Sequence, residues 1–289
     1  ICACLVGSEM CIRDRYYLAG QDDIDRNAVR QGVIRRMKRV MLTVAYDGSA
    51  YSGWQVQPNA DTIEGQLNKH LSELLGEEIT VIGASRTDAG VHALCNLAVF
   101  STNARIPAEK ISYALNQRLP QDIRIQKSEE VAEDFHPRKV ETRKTYEYCI
   151  YHAKFANPIL EKYSYFVYVP LDLKKMKQAA EILVGTHDFA GFSTYKPEVT
   201  NTIRMITNIQ ILTEHPWDKQ DCELIHIRVT GNGFLYNMVR IIVGTLVAIG
   251  RGQMDIACIA HVLETGNREL AGPTAPAQGL MLMQYEIME

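Results

Sequence analysis

The 289-residue sequence predicts an α+β protein built from two halves of similar plan. Three observations lead to this fold class. Alternating apolar and polar residues mark several short strands, apolar residues spaced by three and four mark helices between them, and both halves contain the same mixture. Hydrophobic residues make up 46% of the chain, enough for a sizeable core.

The first half opens with a strand and a helix whose ends carry local signals. Alternation over 39–46 predicts a strand, which stops at a turn of Asp47 and Gly48. Asp61 and Glu64 stand at the spacing of a capping box, so they predict the start of a helix that Gly76 ends. The remaining elements predicted for this half are strands over 79–82 and 97–101 and a helix over 107–118.

The second half repeats this mixture of strands and helices. Asp172 is a candidate N-cap for a helix that ends at Gly185, and the apolar residues over 234–250 predict a long buried helix. The other predicted elements are a helix over 255–264 and strands over 147–151, 165–169, 203–213, 224–230 and 280–287. We divide the chain into subdomains of 37–140 and 141–289, although the halves are too dissimilar in sequence to prove a duplication.

The first 36 residues differ in character from the rest. Residues 1–12 are apolar but contain Glu9 and lack the basic start of a signal peptide. The string over 7–15 resembles a translated sequencing adapter. We therefore expect 1–36 to be a non-native or disordered extension, with Met37 as the native start; a structured N-terminal extension is the alternative.

The formal net charge of −3 argues against indiscriminate, charge-driven binding of nucleic acid. Two basic clusters could still line a local groove, although each alone is typical of a solvated surface: Arg35, Arg36, Lys38 and Arg39, and Arg138, Lys139, Arg143 and Lys144. The seven cysteines have no paired C-x-x-C spacing, which favours reduced thiols and argues against a zinc site. No apolar run approaches the roughly 20 residues of a membrane span.

The run GASRTDAGVHA at 83–93 is the strongest functional signal in the chain. It places a single carboxylate, Asp88, in a segment of small residues, where glycine allows the backbone to approach a ligand closely. Such a carboxylate could act as an acid, a base, a metal ligand or a covalent nucleophile. Taken alone, the run is also compatible with a surface pair of Arg86 and Asp88 on a tight loop.

Further motifs are spread along the chain. They are YDG at 46–48 with YSGWQ at 51–55, FHPR at 135–138, RKTYEY at 143–148, GTHDF at 185–189, NGFLYNMVR at 232–240 with IVGTL at 242–246, and AP at 275–276 before GL at 279–280. Together with RTDAGVH at 86–92, they resemble the tRNA pseudouridine synthase A family from about Met37 to the C-terminus.

The resemblance implies a fold and a reaction. The fold has a central antiparallel sheet with flanking helices and two similar halves, with the active-site cleft between them and the catalytic aspartate in the first half. The reaction isomerises uridine to pseudouridine at tRNA positions 38, 39 and 40, in the anticodon stem-loop. It requires no cofactor or metal. The resemblance further implies a cytoplasmic homodimer that binds tRNA.

The resemblance also implies roles for individual residues. Asp88 would be the nucleophile, adding to C1′ of the ribose or to C6 of the base. Tyr146 would stack on the target base and accept or relay a proton, and Arg240 would pair with Asp88 and keep it ionised. Arg86 would contact RNA and hold the base out of its helix. We count His92 among the substrate-binding residues, with a structural histidine as the alternative.

Blander interpretations stand beside these roles. Tyr146 could be one face of a sheet, and Arg240 could extend from an apolar helix to solvent. The candidate aromatic RNA contacts are Trp54, Tyr51 and Tyr195, with core packing the safer interpretation for Trp54. Two rival functions remain open: a retaining hydrolase of N-glycosidic bonds, with Asp188 or Glu147 as its second acid, and a catalytically silent RNA-binding module.

Overall fold

The computed structural model describes residues 36–194, 200–218 and 221–288. The predicted extension over 1–36 therefore lies almost wholly outside the described residues, as does Tyr195. Residues Lys38–Glu289 form one compact unit. Within the described ranges, no helix is both long and apolar enough to cross a membrane.

The described chain contains ten strands and six helices, with short 3₁₀ turns between them. The strands are β1 (Lys38–Tyr46), β2 (Ile82–Gly83), β3 (His92–Thr102), β4 (Ile123–Val131), β5 (Thr142–Ala153), β6 (Tyr165–Val167), β7 (Gly185–Asp188), β8 (Ile203–Glu214), β9 (Cys222–Gly231) and β10 (Leu280–Ile287). The helices are α1 (Ile63–Leu75), α2 (Ala108–Asn116), α3 (Pro158–Glu161), α4 (Leu173–Ile182), α5 (Met238–Gly250) and α6 (Cys258–Thr265). This mixture confirms the predicted α+β class.

All ten strands belong to one sheet, whose order is β4-β1-β3-β10-β5-β9-β8-β7, with β2 beside β3 and β6 beside β5. The pairings are antiparallel except for β10 with β3 and β5 with β6. The last strand, β10, therefore lies between the strands of the first half and those of the second. The 140/141 division falls between β4 and β5, and the sheet continues across it.

The hydrophobic core runs continuously through both halves of the sheet. On β1, residues 40, 42, 44 and 46 are buried while the alternate residues are only partly covered, which is the two-residue period of a half-buried strand. Helix α5 is buried along almost its whole length, and Arg240 is the residue of it that stays partly exposed. A cation in such a buried helix needs a polar partner, so Arg240 is expected to contact a carboxylate or another acceptor.

Several predicted boundaries were wrong for local reasons. The N-cap of α1 is Thr62, whose side chain accepts the Gly65 N–H (3.2 Å), while Glu64 accepts the Val56 N–H (2.9 Å), so Asp61 and Glu64 form no capping box. Helix α5 begins at Met238 and not at 234. The backbone of Asn237 is left-handed (φ 61°), which a right-handed helix cannot continue through.

Two strands also differ from prediction. The predicted strand over 79–82 shrinks to Ile82–Gly83, because the N–H groups of Ile79 and Val81 bond to side chains of α1. Strand β4 was missed, since its apolar alternation ends at Ile125 and polar residues follow. Gly185, predicted to end a helix, instead begins β7.

Candidate active site

A cleft of about 920 Å³ opens on the side of the sheet where the two halves meet. Three segments contribute most of its lining: residues 84–89 before β3, residues from 137 to 146 entering β5, and residues 232–239 before α5. Arg204 of β8, Tyr285 of β10 and residues between 52 and 57 also contribute. Three of the five residues expected at the site, Asp88, Tyr146 and Arg86, therefore line the cleft, and Arg240 directly follows the lining segment 232–239.

The Asp88 loop is held by the segment that follows β1. The Trp54 N–H donates to the Thr87 carbonyl (3.0 Å), and the Gly90 N–H donates to the Tyr51 carbonyl (3.3 Å). Gly53 has a φ of 94°, and a Cβ added there would lie 2.8 Å from the Thr87 oxygen. A side chain at this position would push the loop outward, so glycine is required for the close approach.

A second glycine at the other end of this segment serves the same contact. A Cβ added to Gly48 would lie 2.0 Å from the carbonyl oxygen of Val91, which follows the Asp88 loop. The YDG and SGW motifs thus share one physical purpose, because each supplies a glycine against the backbone of 87–91. Sequence reasoning singled out both motifs without finding this contact.

Trp54 and Tyr51 support the loop from inside the protein. Trp54 is 1% exposed and its indole lies against Gly83, where an added Cβ would be 2.1 Å from Nε1. Tyr51 is buried and its hydroxyl donates to Asp122 (2.7 Å). Neither ring is available at the surface, so the suggestion that these two stack on RNA is corrected, and the core interpretation of Trp54 is the one the structure supports.

Asp88 and Arg240 meet across the cleft although 152 residues separate them in the chain. Arg240 Nη1 lies 3.5 Å from Asp88 Oδ2, and each side chain is 17% exposed. The guanidinium is fixed by two further bonds, to Asn237 Oδ1 (2.9 Å) and to the Ala275 carbonyl (2.8 Å). The arginine is therefore aimed by its own fixed contacts, and it presents a positive charge beside a partly desolvated carboxylate.

Tyr146 lies on β5 with 9% of its surface exposed and lines the same cleft. The ring of Phe234 packs edge-on against it, with centroids 5.2 Å apart. Burial raises the pKa of Tyr146 well above its usual value, and the nearby Asp88 carboxylate raises it further. The phenol is therefore neutral at physiological pH, so it can donate a hydrogen bond but holds its proton more tightly than a free tyrosine.

Positive side chains reach the cleft from several elements. Arg86 is exposed on the Asp88 loop, Lys144 is half-buried on β5, and Arg138 and Arg204 also contribute to the lining. Of the second basic cluster, Arg138 and Lys144 thus face the cleft. Arg143 instead pairs with Glu286 (2.6 Å).

The described contacts of the first basic cluster, residues 35–39, are with backbone and hydroxyl groups away from the cleft. Arg35 lies outside the described residues. The ammonium of Lys38 bonds to the Ile106 carbonyl, and Arg39 donates to the Phe135 carbonyl (3.0 Å) and to Ser101. Neither of these two lines the cleft.

His92 is not brought to the cleft. It is 2% exposed, its Nδ1 accepts the Gly48 N–H (3.1 Å), and its Nε2 lies 3.2 Å from the Gln278 carbonyl. Burial lowers its pKa, and the Asp47 carboxylate, 3.1 Å from Nδ1, opposes that shift. Because both nitrogens are used within the protein, His92 has no group left for a substrate, and we replace that expectation with a structural role.

The acids considered for a hydrolase lie elsewhere. Glu147 neighbours Tyr146 in sequence but belongs to the opposite face of β5, where its bonds to His226 (3.0 Å) and Arg228 lower its pKa to about 2. Asp188 is exposed and accepts the Ala190 N–H (2.9 Å). Neither lines the cleft, whose other carboxylate is the exposed Glu141.

The structure adds residues that sequence reasoning did not single out: Phe234 and Asn237, which contact Tyr146 and Arg240, and Arg204 and Tyr285 in the lining. Phe234 and Asn237 belong to the NGFLYNMVR motif, which was the sequence signal that could have found them. No sequence motif marked Arg204 or Tyr285. Among the residues described, no group of three or more histidine, cysteine, aspartate or glutamate side chains is arranged to hold a metal ion.

Comparison with known proteins adds an independent finding. The profile of a family described as "tRNA pseudouridine synthase" matches residues 42–138 and 179–286. A protein of Thermoanaerobacter sp. (strain X514) named "tRNA pseudouridine synthase A" is 44% identical over 248 residues, covering 86% of this chain and 99% of that protein. A protein of the same name from Ruminiclostridium cellulolyticum is 45% identical over 248 residues, with the same coverage of each.

More distant similarity comes from a solved structure. The chain aligns with a chain of "Crystal Structure of a Cbf5-Nop10-Gar1 Complex" at 13% identity and a TM-score of 0.30. The alignment covers 84% of this chain and 58% of that one.

Proposed function

The chain belongs to the tRNA pseudouridine synthase family, and we propose that it isomerises uridine to pseudouridine at positions 38, 39 and 40 of tRNA, with Asp88 as nucleophile. One observation carries this proposal. The Asp88 carboxylate and the Arg240 guanidinium lie 3.5 Å apart in a cleft that Tyr146 also lines. The three segments that supply these residues are also the ones that carry the sequence resemblance.

The reaction balances without a cofactor. The C1′–N1 bond of uridine breaks, the base turns, and a bond forms between C1′ and C5. The proton on C5 is released to solvent and N1 takes one up, so product and substrate are isomers. Asp88 forms a transient covalent bond to C1′ or to C6 and leaves unchanged when the product forms.

Arg240 positions the nucleophile. Its contacts with Asn237 and Ala275 fix the guanidinium before substrate arrives, so the charge beside Asp88 does not have to reorganise during the reaction. Tyr146, neutral because its pKa is raised, offers a ring face for the base and a hydroxyl that can donate a hydrogen bond.

The cleft is suited to a base removed from its helix. A side chain cannot reach C1′ or C6 of a stacked and paired uridine, so the nucleotide must turn out of the stack, which costs a few kcal/mol. A volume of about 920 Å³ is ample for one nucleotide. Arg86 is exposed at the edge of the Asp88 loop and is our candidate for holding the RNA in this state.

We further propose that the enzyme acts in the cytoplasm as a homodimer that binds the anticodon stem-loop. The acidic total of −3 makes a local basic surface necessary for RNA binding. The mass in solution tests the dimer: sedimentation at twice 32.6 kDa is expected, and a monomer at micromolar concentration contradicts it.

The position assignment is tested with tRNA transcripts in which every uridine is [5-³H]uridine and only one of positions 38, 39 and 40 is uridine, the other two being cytidine. Tritium release and pseudouridine in the nucleoside digest are expected from all three transcripts. A transcript with cytidine at all three positions is the control and releases nothing. Release of free uracil would favour the hydrolase, and equal release from the control would place the target elsewhere.

A further inference from the structure

Lys144 occupies a position that the proposed chemistry leaves without a purpose. It precedes Tyr146 by two residues on β5, so the two side chains project from the same face of the strand. Both line the cleft. Opposite Lys144 on β9 is Gly231, where an added Cβ would lie 2.5 Å from the Met205 carbonyl oxygen of β8, so β8 packs closely at this point.

The lysine is fixed on an aromatic ring. Its ammonium lies 5.0 Å from the ring centroid of Tyr285, which is its cross-strand partner on β10. The Tyr285 hydroxyl in turn donates to the Pro137 carbonyl (2.7 Å). The ammonium is therefore held at a defined place in the cleft wall.

Arg204 brings a second cation to the same place. Its Nη1 donates to the carbonyls of Asn201 (3.0 Å) and Ile203 (2.6 Å), which fixes the guanidinium, and its side chain lies against Gly233. Gly231, the partner of Lys144, pairs on its other side with Ile206, which follows Arg204 by two residues, so the two cations stand on strands that flank the same β9 residue. Burial and the charge of Arg204 lower the pKa of Lys144 to about 8.

Lys144 and Arg204 differ from the cations of nearby strands in their partners. Among the residues described, neither Lys144 nor Arg204 forms an ion pair, whereas nearby strands pair their cations, as Arg143 does with Glu286 and Arg228 with Glu147. Two fixed like charges in a partly desolvated site are unfavourable unless an anion joins them. An anion bound between Lys144 and Arg204 would relieve this repulsion.

We propose that Lys144 and Arg204 bind one backbone phosphate of the RNA, next to the nucleotide that enters the cleft. This rests on the proposed function for the identity of the RNA. Phosphate is the anion that an RNA substrate brings in every nucleotide, and contacts to it set the position of the chain without reading its sequence. Because Lys144 lies two residues from Tyr146, a phosphate bound to it would set how deeply the target nucleotide can enter the cleft.

The test measures tRNA binding, not catalysis. Lys144→Met is expected to weaken the Kd for an unmodified tRNA transcript about tenfold. It should also lower the slope of log Kd against log salt by about one, since one phosphate contact is lost. Lys144→Arg keeps the charge and is expected to stay within about threefold of wild type.

Lys110→Met is the matched control. Lys110 also stacks on a tyrosine, with its ammonium 5.5 Å from the Tyr113 ring centroid, but it is exposed on α2 and does not line the cleft. Its loss should leave both Kd and salt slope unchanged. Circular dichroism of each variant confirms that it folds.

The outcomes separate this proposal from the proposed function. Wild-type Kd and slope in Lys144→Met would overturn it, as would equal loss in Lys144→Met and Lys144→Arg. A Lys144-dependent Kd without pseudouridine formation would support the phosphate site and contradict the proposed function. Inorganic phosphate, compared with chloride at equal ionic strength, should displace tRNA only at about 1 mM or above, and tight binding of free phosphate would overturn the assignment to RNA.

Discussion

At the scale of single residues, the site depends on a few fixed polar contacts around Asp88. Asp88 and Arg240 lie 152 residues apart, so no spacing rule could have paired them. Only the resemblance to a known family predicted that they meet, and the 3.5 Å contact confirms the proximity. His92 shows the opposite case, because a residue inside the strongest motif proved to be buried and bonded on both nitrogens.

The first prediction concerns Arg240. Arg240→Met removes the charge beside Asp88 and should lower kcat/KM for tRNA about 100-fold, a magnitude typical of losing one prearranged electrostatic contact. Arg240→Lys keeps the charge but cannot bridge Asp88, Asn237 and Ala275 together, so an intermediate loss is expected. Rates within twofold of wild type for Arg240→Met would contradict the positioning role.

At the scale of elements, the segment between β1 and α1 acts as a support for the Asp88 loop. The strands and helices themselves followed largely from apolar periodicity, as in β1 and α1. Their ends did not, since capping by Thr62 and the left-handed Asn237 depend on side-chain and backbone contacts that periodicity does not encode. The glycine contacts that hold the loop are tertiary, so the sequence could mark those glycines but not say what they touch.

The second prediction compares two glycines with left-handed backbones. Gly53→Ala places a methyl 2.8 Å from the Thr87 oxygen, whereas Gly76→Ala meets no atom within 4 Å. Both substitutions cost about 1 kcal/mol for the backbone conformation. Only Gly53→Ala should cost ~2 kcal/mol more and displace Asp88, lowering kcat as well.

Urea denaturation and tritium release measure these two effects in parallel. Gly76→Ala serves as the control and should retain the wild-type kcat while losing a little stability. An equally mild effect of both substitutions would show that the Asp88 loop can move to accept a methyl group, which would contradict close packing of Gly53 against Thr87.

At the scale of the whole molecule, the central position of β10 explains how one cleft can draw on both halves of the chain. The strand that comes last in sequence pairs with β3 on one side and β5 on the other. The Asp88 loop leads into β3, and Tyr146 lies on β5. Strand order of this kind arises from long-range pairing, which is why the sequence predicted the fold class but not the route of the chain through the sheet.

The third prediction concerns charge. The chain has a net charge of −3, yet Arg86, Lys144 and Arg204 all line the cleft. Binding of tRNA should therefore weaken steeply with salt, with a slope of log Kd against log salt of at least ~2, as each phosphate contact contributes about 0.7 to 0.9. A Kd that stays the same between about 50 and 200 mM salt would contradict electrostatic docking.

The most direct test of the central claim compares wild type with Asp88→Asn on tRNA carrying [5-³H]uridine. The wild type should release tritium and form pseudouridine without free uracil. Asp88→Asn should lose release by more than about 1,000-fold while binding tRNA within about twofold, because only the nucleophile is removed. Tritium release by Asp88→Asn at the wild-type rate would contradict the account, since the carboxylate would then take no part in the reaction.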